Sequence, residues 1–310
     1  MIDAYTAFLR STFNVSATNI QLLGEGMFSR AYCFDTDTGP FVLRIGVSRE
    51  AFEKDRLAYS RLGHAISIPQ VKAIGQYDSH SFYCISDWKP GRILTDLSPD
   101  ETRRLLTSLF TNLLMMSRVV VPPQTAFGIL DGTGWARRHY DTWSDFVRAI
   151  DDFVLTFTTR GDEVYKPWDE LFRTTALDQT LVRDARRRLT ELIPYLPDER
   201  HYVHGDFGFD NALTDNDRIT AILDWAELRC GDWLYDLAYV AYHDEDGIDY
   251  VGAFRQWANA NGLALPNLTE RIQASYLHIF LGNVFLEANR GMWDWYAEDV
   301  ARYRRLIGEN

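Results

Sequence analysis

The chain has 310 residues, is 46% hydrophobic and carries a net charge of −12, enough apolar content for one large domain or two modest ones. No run of about 18 apolar residues occurs, so no membrane span is expected, and an acidic balance argues against a general nucleic-acid binder, which needs a basic surface. Cys33, Cys84 and Cys230 are spaced for neither a zinc site nor a disulfide framework and read as small core residues. Met1-Ile2-Asp3-Ala4 has no basic region leading into an apolar core, so a reducing cytoplasm is the expected setting. The acidic charge suits a cationic partner or simple solubility, and only clustering of acids at a site separates the two.

Tyr5, Phe8, Leu9 and Phe13 at helical spacing predict a first helix over residues 3–13. Residues 20–23, 30–35 and 41–45 predict three short antiparallel strands, with turns at 24–29 and 37–40. In the first turn, Gly24 and Gly26 let the backbone approach a phosphate and expose its amides; a glycine pair also suits a plain hairpin. Arg44 is a cation in an otherwise apolar strand, either a phosphate clamp or an edge residue with its guanidinium in solvent. The helix predicted over 49–62 offers Glu53 and Asp55 as partners for it. Asp55 is preferred, two turns before Leu62 on one face. Strands at 70–76 and 81–86 follow. Asp87-Trp88-Lys89-Pro90-Gly91 breaks the pattern and divides a mainly sheet part, 1–88, from a mainly helical part, 89–310.

Ser98, Pro99, Asp100 and Glu101 form a helix start, and the helix runs to about 118. Residues 127–135 read as loop, 142–157 as an aromatic-rich helix, 161–167 as a break and 177–196 as a helix. Its Arg183, Arg186, Arg187 and Arg188 read as a solvated face. Residues 229–233 read as a turn, then helices are predicted over 234–242, 250–261 and 268–287, with an aromatic run at 292–296.

Most informative is His204-Gly205-Asp206-Phe207-Gly208-Phe209-Asp210-Asn211, entered from a strand-like run at 201–203. A second apolar run, 221–223, leads to Asp224. Asp206, Asn211 and Asp224 are two carboxylates and a carboxamide at strand ends, an oxygen-rich set that suits Mg²⁺ rather than zinc. An Asp followed five positions later by an Asn is the catalytic-loop spacing of kinases. Asp and Asn also favour ordinary surface turns, a reading that suits Asp210 and Asn211 alone better than the whole set.

Together with Ser29-Arg30-Ala31, Tyr83-Cys84-Ile85-Ser86, the block 211–216, the block 218–221 and Asp224-Trp225, these residues resemble the aminoglycoside phosphotransferase family. The resemblance spans about residues 22–242. It implies an α+β, two-lobed protein-kinase-like fold: an N-terminal nucleotide-binding lobe (1–88) of antiparallel sheet with helix, and a mainly helical catalytic and substrate-binding lobe (89–310). It implies Asp206 as catalytic base, Asn211 and Asp224 as Mg²⁺ ligands, and the loop from Gly24 through Gly26 to Ser29 over the phosphates. Arg44 stands where the family usually has Lys, and Asp55 where it usually has Glu. The backbone from Asp87 to Lys89 would take adenine. His204 and Asp236 would support the loop; His204 as general base is the rival assignment. The nucleotide is ATP, with GTP admitted by Arg44.

The implied acceptor is a hydroxyl on a small, polar, cationic molecule, with an aminocyclitol antibiotic first. Asp210, Glu227, Asp244, Asp246 and Glu287 would meet its amines, and Trp233, Trp293 and Trp295 its sugar rings, although an aromatic at helical spacing is more often core. The alternatives are a kinase of choline, homoserine, a sugar or a macrolide, and a nucleotide-binding pseudokinase.

Overall fold

The computed structural model describes residues 2–14, 16–26, 28–152 and 165–308. Helix α1 (Ile2–Phe13) packs on a five-stranded antiparallel sheet of order β1-β2-β3-β5-β4, made of β1 (Thr18–Glu25), β2 (Ser29–Thr36), β3 (Gly39–Gly46), β4 (Val71–Gln76) and β5 (Phe82–Asp87). Leu9, Ile20, Tyr32, Phe34, Leu43 and Ile85 close a small core of their own there. Helix α2 (Arg49–Leu62) starts where the Ser48 side chain accepts from the Ala51 amide, the usual N-cap bond. Its Ala58 and Leu62 belong to the larger core of the helical part, so α2 is packed to both halves of the molecule.

β1 runs further than expected. Gly24 pairs with Ala31 and Glu25 with Arg30, and the last pair adds a 2.6 Å ion pair across the hairpin. The glycine turn is therefore short, and Met27 within it lies outside the described residues.

The remaining chain carries β6 (Arg92–Ile93), α3 (Pro99–Ser117), β7 (Gly128–Ile129), α4 (Trp143–Arg148), α5 (Trp168–Thr174), α6 (Gln179–Leu192), β8 (His201–Val203), β9 (Ala212–Asp215), β10 (Arg218–Ile222), β11 (Arg229–Gly231), α7 (Leu234–Tyr242), α8 (Tyr250–Ala260), α9 (Leu268–Arg290) and α10 (Trp293–Leu306). Ser98 and Glu101 form a reciprocal capping box at the start of α3. Two three-stranded sheets, β10-β9-β6 and β7-β11-β8, present the chain's central loops. Helix α9 is the axis of this half. Its Phe280, Leu281, Val284 and Phe285 are fully buried, as expected of a helix apolar around most of its circumference. Among the described residues, no helix is long and apolar enough to cross a membrane.

Four expectations are corrected. Residues 229–231 are a strand, not a turn: Arg229, Cys230 and Gly231 pair with β8 on one side, and the first two with β7 on the other. All three are buried, so the alternation that announces a half-exposed strand is missing. Gly231 is required there because the Trp143 ring occupies the space of any Cβ. Gly128 and Ile129, read as loop, pair with that strand. The helix expected over 142–157 ends at Arg148 and a 3-10 turn follows at Ile150–Asp152; residues 153–157 lie outside the described residues, as do 161–164 of the expected break. The helix expected over 177–196 gives way after Leu192 to a 3-10 turn that holds Pro194, because proline cannot donate within a helix.

Candidate active site

Strand β8 delivers the loop that follows it. The amides of His204 and Gly205 donate to the two oxygens of Asp236 on α7, each at 2.8 Å. The His204 ring Nε2 donates to the Leu223 carbonyl (2.8 Å), and its Nδ1 accepts from the Asp206 amide (3.2 Å). This network fixes the tautomer and occupies both ring nitrogens. Burial pushes the imidazole pKa down, so His204 is a neutral structural link between two strand ends. Gly205, at φ 84°, lies against the Arg229 guanidinium, leaving no room for a side chain.

Asp206 comes next. Burial pushes its pKa up; a hydrogen bond from the Tyr239 hydroxyl opposes this, the nearby charge of Asp224 adds to it, and His243 and Asn211 oppose it. A 3-10 turn over Phe209–Asn211 brings Asn211 back. Its Nδ2 donates to the Asp206 carbonyl (2.9 Å) and to Asp206 Oδ2 (3.0 Å). Its amide oxygen is then the atom left for a cation. The Leu223 amide donates to the Asn211 carbonyl at 2.8 Å, which ties this turn to the segment bearing Asp224. Asp224 lies two residues beyond β10 with φ 52°, a left-handed conformation that Asp tolerates better than most residues.

Arg44 on β3 is bonded to Asp55 on α2 and sits over the Phe52 ring, 5.0 Å from its centroid. Glu53 instead pairs with Arg49 at 2.8 Å. A hollow of about 570 Å³ opens beside this pair, lined by Ser29, Arg44, Gly46, Lys54, Arg137 and Asp224 among others. Three cations and one carboxylate here suit a phosphate chain. Gly26 donates its amide to the Ser29 carbonyl at 2.9 Å, and Gly24 has open space around it. At the opposite end of β5, the Asp87 carboxylate pairs with Lys72 (3.0 Å) and its amide donates to Gln70 (3.0 Å). Lys89 follows, half-buried.

On the other side of Asp206 a cleft of about 2230 Å³ opens to solvent. Its walls bear Asp210, Glu245, Asp246, Glu287, Glu298 and Asp299 besides Asp206. Arg302 faces them but is already paired with Asp299 (3.0 Å), Glu245 (3.5 Å) and Glu298 (3.8 Å). Thr95 orients Asp210 through a 2.7 Å hydrogen bond. Glu287 is buried and its Oε2 has no hydrogen-bond partner. Burial, then Asp299 beside it, pushes its pKa up to about 9. Apart from Glu287, which keeps its proton at neutral pH, these acids cluster at one cleft instead of being spread over the surface.

Not every acceptor candidate lines this cleft. Asp210, Asp246 and Glu287 do, and so does Trp295; Glu227, Trp233, Asp244 and Trp293 do not. Glu227 pairs with buried Arg229 at 3.2 Å. Trp233 packs edge-on to Phe254. Asp244 accepts from the Ile248 amide at 2.7 Å and closes its own turn. Trp293 packs edge-on to Tyr296. Sequence reasoning missed Tyr239 and His243, although Asp236, Tyr239 and His243 are spaced by three and four residues and share one helix face. His243 donates from Nδ1 to the Tyr239 carbonyl (3.0 Å) and accepts from Asn283 (3.3 Å), and burial lowers its pKa.

A sheet lobe and a helical lobe, with an Asp–Asn loop and a downstream Asp between them, define the protein-kinase-like fold. The chain belongs to the phosphotransferase enzyme family (APH), which matches residues 19–267. It is similar to hygromycin-B 4-O-kinase of Escherichia coli, 34% identical over 239 residues, a match covering 76% of this chain and 65% of the relative's length. Among solved structures it is similar to a thermostable mutant of aminoglycoside phosphotransferase APH(4)-Ia in ternary complex with ADP and hygromycin B, with a TM-score of 0.80, 29% identity and 98% of each chain covered. The GDP complex of aminoglycoside 2′-phosphotransferase-IIIa shares the fold, with a TM-score of 0.67 at 19% identity over 98% of this chain and 96% of that one.

Proposed function

We propose that this protein transfers the γ-phosphoryl group of ATP to a hydroxyl of a cationic aminocyclitol antibiotic of the hygromycin B kind and so gives resistance to it. The observation that carries this reading is the acidic wall of the cleft that holds Asp206. Such a wall favours an amine-bearing acceptor over an anionic one. The 34% identity to hygromycin-B 4-O-kinase supports the same acceptor class.

Residues 1–88 form the nucleotide-binding lobe and 89–310 the catalytic and substrate-binding lobe. Arg44, Gly24, Gly26 and Ser29 receive the phosphates, and the backbone from Asp87 to Lys89 takes the base. GTP is the alternative donor. Asp206 orients the acceptor hydroxyl and accepts its proton; burial raises its basicity, which suits a base. Tyr239 and Asn211 fix its direction.

Among the described residues, no group of three or more His, Cys, Asp and Glu side chains is arranged to hold a metal unaided. Asn211 and Asp224 supply two hard oxygen ligands, and this fits Mg²⁺, which takes one or two protein ligands plus phosphates and water. When bound, that ion neutralises charge on the phosphate oxygens. Asn211 and Asp224 would hold it. Orientation and charge neutralisation suffice for this chemistry.

The test is ATP consumption with a panel of acceptors: hygromycin B, other aminoglycosides, choline, homoserine, a sugar and a macrolide. Turnover is expected with hygromycin B or a close aminocyclitol. Turnover with a metabolite alone defeats the antibiotic reading, and nucleotide binding without turnover on any acceptor favours a pseudokinase.

A further inference from the structure

The cleft beside Asp206 is walled at one place by two carboxyl groups in contact. Glu287 on α9 and Asp299 on α10 both line it, they are 4% and 1% exposed, and their side chains lie within hydrogen-bond reach of each other. Two carboxylates that touch cannot both ionise, so the contact needs a shared proton. Asp299 keeps its charge: the Tyr242 hydroxyl and the Arg302 guanidinium both donate to its Oδ1, each at 3.0 Å. Glu287 has no such support, and its Oε2 is buried without a partner. The proton therefore belongs to Glu287, whose pKa burial and then Asp299 push up to about 9. The groups around it supply no spare cation. Asp299, Glu298 and Tyr296 of α10 and Tyr242 of α7 are acidic or neutral. Burial disfavours the cation of His243, just past α7. Arg302 already serves Asp299, Glu245 and Glu298.

We propose that Glu287 and Asp299 form a proton-exchanging amine subsite of the acceptor cleft: empty, the pair holds one proton; occupied, an ammonium group of the acceptor takes its place beside Glu287. The Glu287 O–H bond breaks, the proton passes to solvent, and the carboxylate left behind pairs with the ammonium. A neutral sugar brings no charge to replace the proton, so the pair selects for an amine-bearing acceptor. The same proton spares the empty fold a second buried negative charge, which is costly without a partner. The proposal rests on the reading of this cleft as the site of a cationic acceptor.

The test is calorimetric titration of hygromycin B into the full chain with ADP and Mg²⁺, in buffers of different ionisation enthalpy, which counts the protons released. At about pH 6.5, below the amine range that begins at about 7.7, the acceptor itself takes up little. The comparison is Glu287→Gln, whose carboxamide copies the shape and the donor of the protonated acid but cannot ionise. The wild type is expected to release close to one proton per acceptor bound, and Glu287→Gln close to none. The affinity ratio of wild type to variant is expected to climb by nearly tenfold per pH unit from about pH 6.5 towards about pH 8.5, the slope of a one-proton exchange. Equal release by both proteins, or a ratio that does not change with pH, overturns the proposal and leaves the proposed function standing. Should the variant not fold, the wild type decides: release near one proton upholds the proposal and no release overturns it. Failure of hygromycin B and other aminoglycosides to bind removes the proposed function and this subsite with it.

Discussion

Asp236 anchors the loop proposed to be catalytic, and Asp236→Asn tests that anchor with almost no change of shape. The carboxylate is 1% exposed and gives one oxygen to each of two buried amides at 2.8 Å. A carboxamide offers one acceptor oxygen, so one amide loses its partner and faces an NH₂ group instead. A hydrogen bond to a charged group contributes about 1.5–3 kcal/mol, and a buried donor left unsatisfied costs about 1–3 kcal/mol. These overlap, and a loss of about 3 kcal/mol follows, a large part of the roughly 5–15 kcal/mol that holds a domain folded. Urea unfolding followed by tryptophan fluorescence reads the midpoint directly. Because the strained amides are those of His204 and Gly205, phosphate transfer should fall further than ADP affinity. A stability change within about 0.5 kcal/mol, the range of an ordinary surface substitution, refutes the argument.

Three further outcomes are expected. Gly231→Ala drives a methyl into the Trp143 ring and should lower stability by about 1–3 kcal/mol, the range for overpacking a core, visible as a lower melting temperature. Glu287 keeps its proton in the fold up to about pH 9 while the unfolded chain releases it near the ordinary glutamate value. Its contribution to stability is therefore complete at acid pH and drains away as pH rises toward 9, by up to about 1.4 kcal/mol per pH unit. Glu287→Gln cannot titrate, so its melting temperature should fall less between pH 6 and 9; equal slopes contradict the assigned environment. Asp246→Ala should raise the KM for a cationic acceptor several-fold with little change in kcat, as loss of uniform binding does, and steady-state kinetics separate the two.

The parts of the site fixed by local spacing were legible in the chain. The five-residue step from Asp206 to Asn211 is a property of one turn, and Arg44 and Asp55 are joined by one strand–helix unit. What was hidden depends on docking between distant elements. β11 is buried between two partners and so carries no alternation. Tyr239 and His243 share a helix face with Asp236, but that face gains meaning only once α7 lies along the loop that follows β8. The acids of the cleft come from four separate segments of the chain, and charge alone did not distinguish Asp246, which lines it, from Asp244, which closes a turn. Nothing in the sequence singles out Lys54; only the fold shows it buried, with Nζ donating to the Ala226 carbonyl.

The central claim is that Asp206 receives the proton of an acceptor hydroxyl during phosphoryl transfer. Transfer of labelled γ-phosphate from ATP to hygromycin B, measured for the wild type and Asp206→Asn at saturating nucleotide, tests it most directly. The account predicts transfer by the wild type and a fall of roughly two to four orders of magnitude in the variant, with ADP affinity largely kept. Near-normal transfer by Asp206→Asn contradicts it.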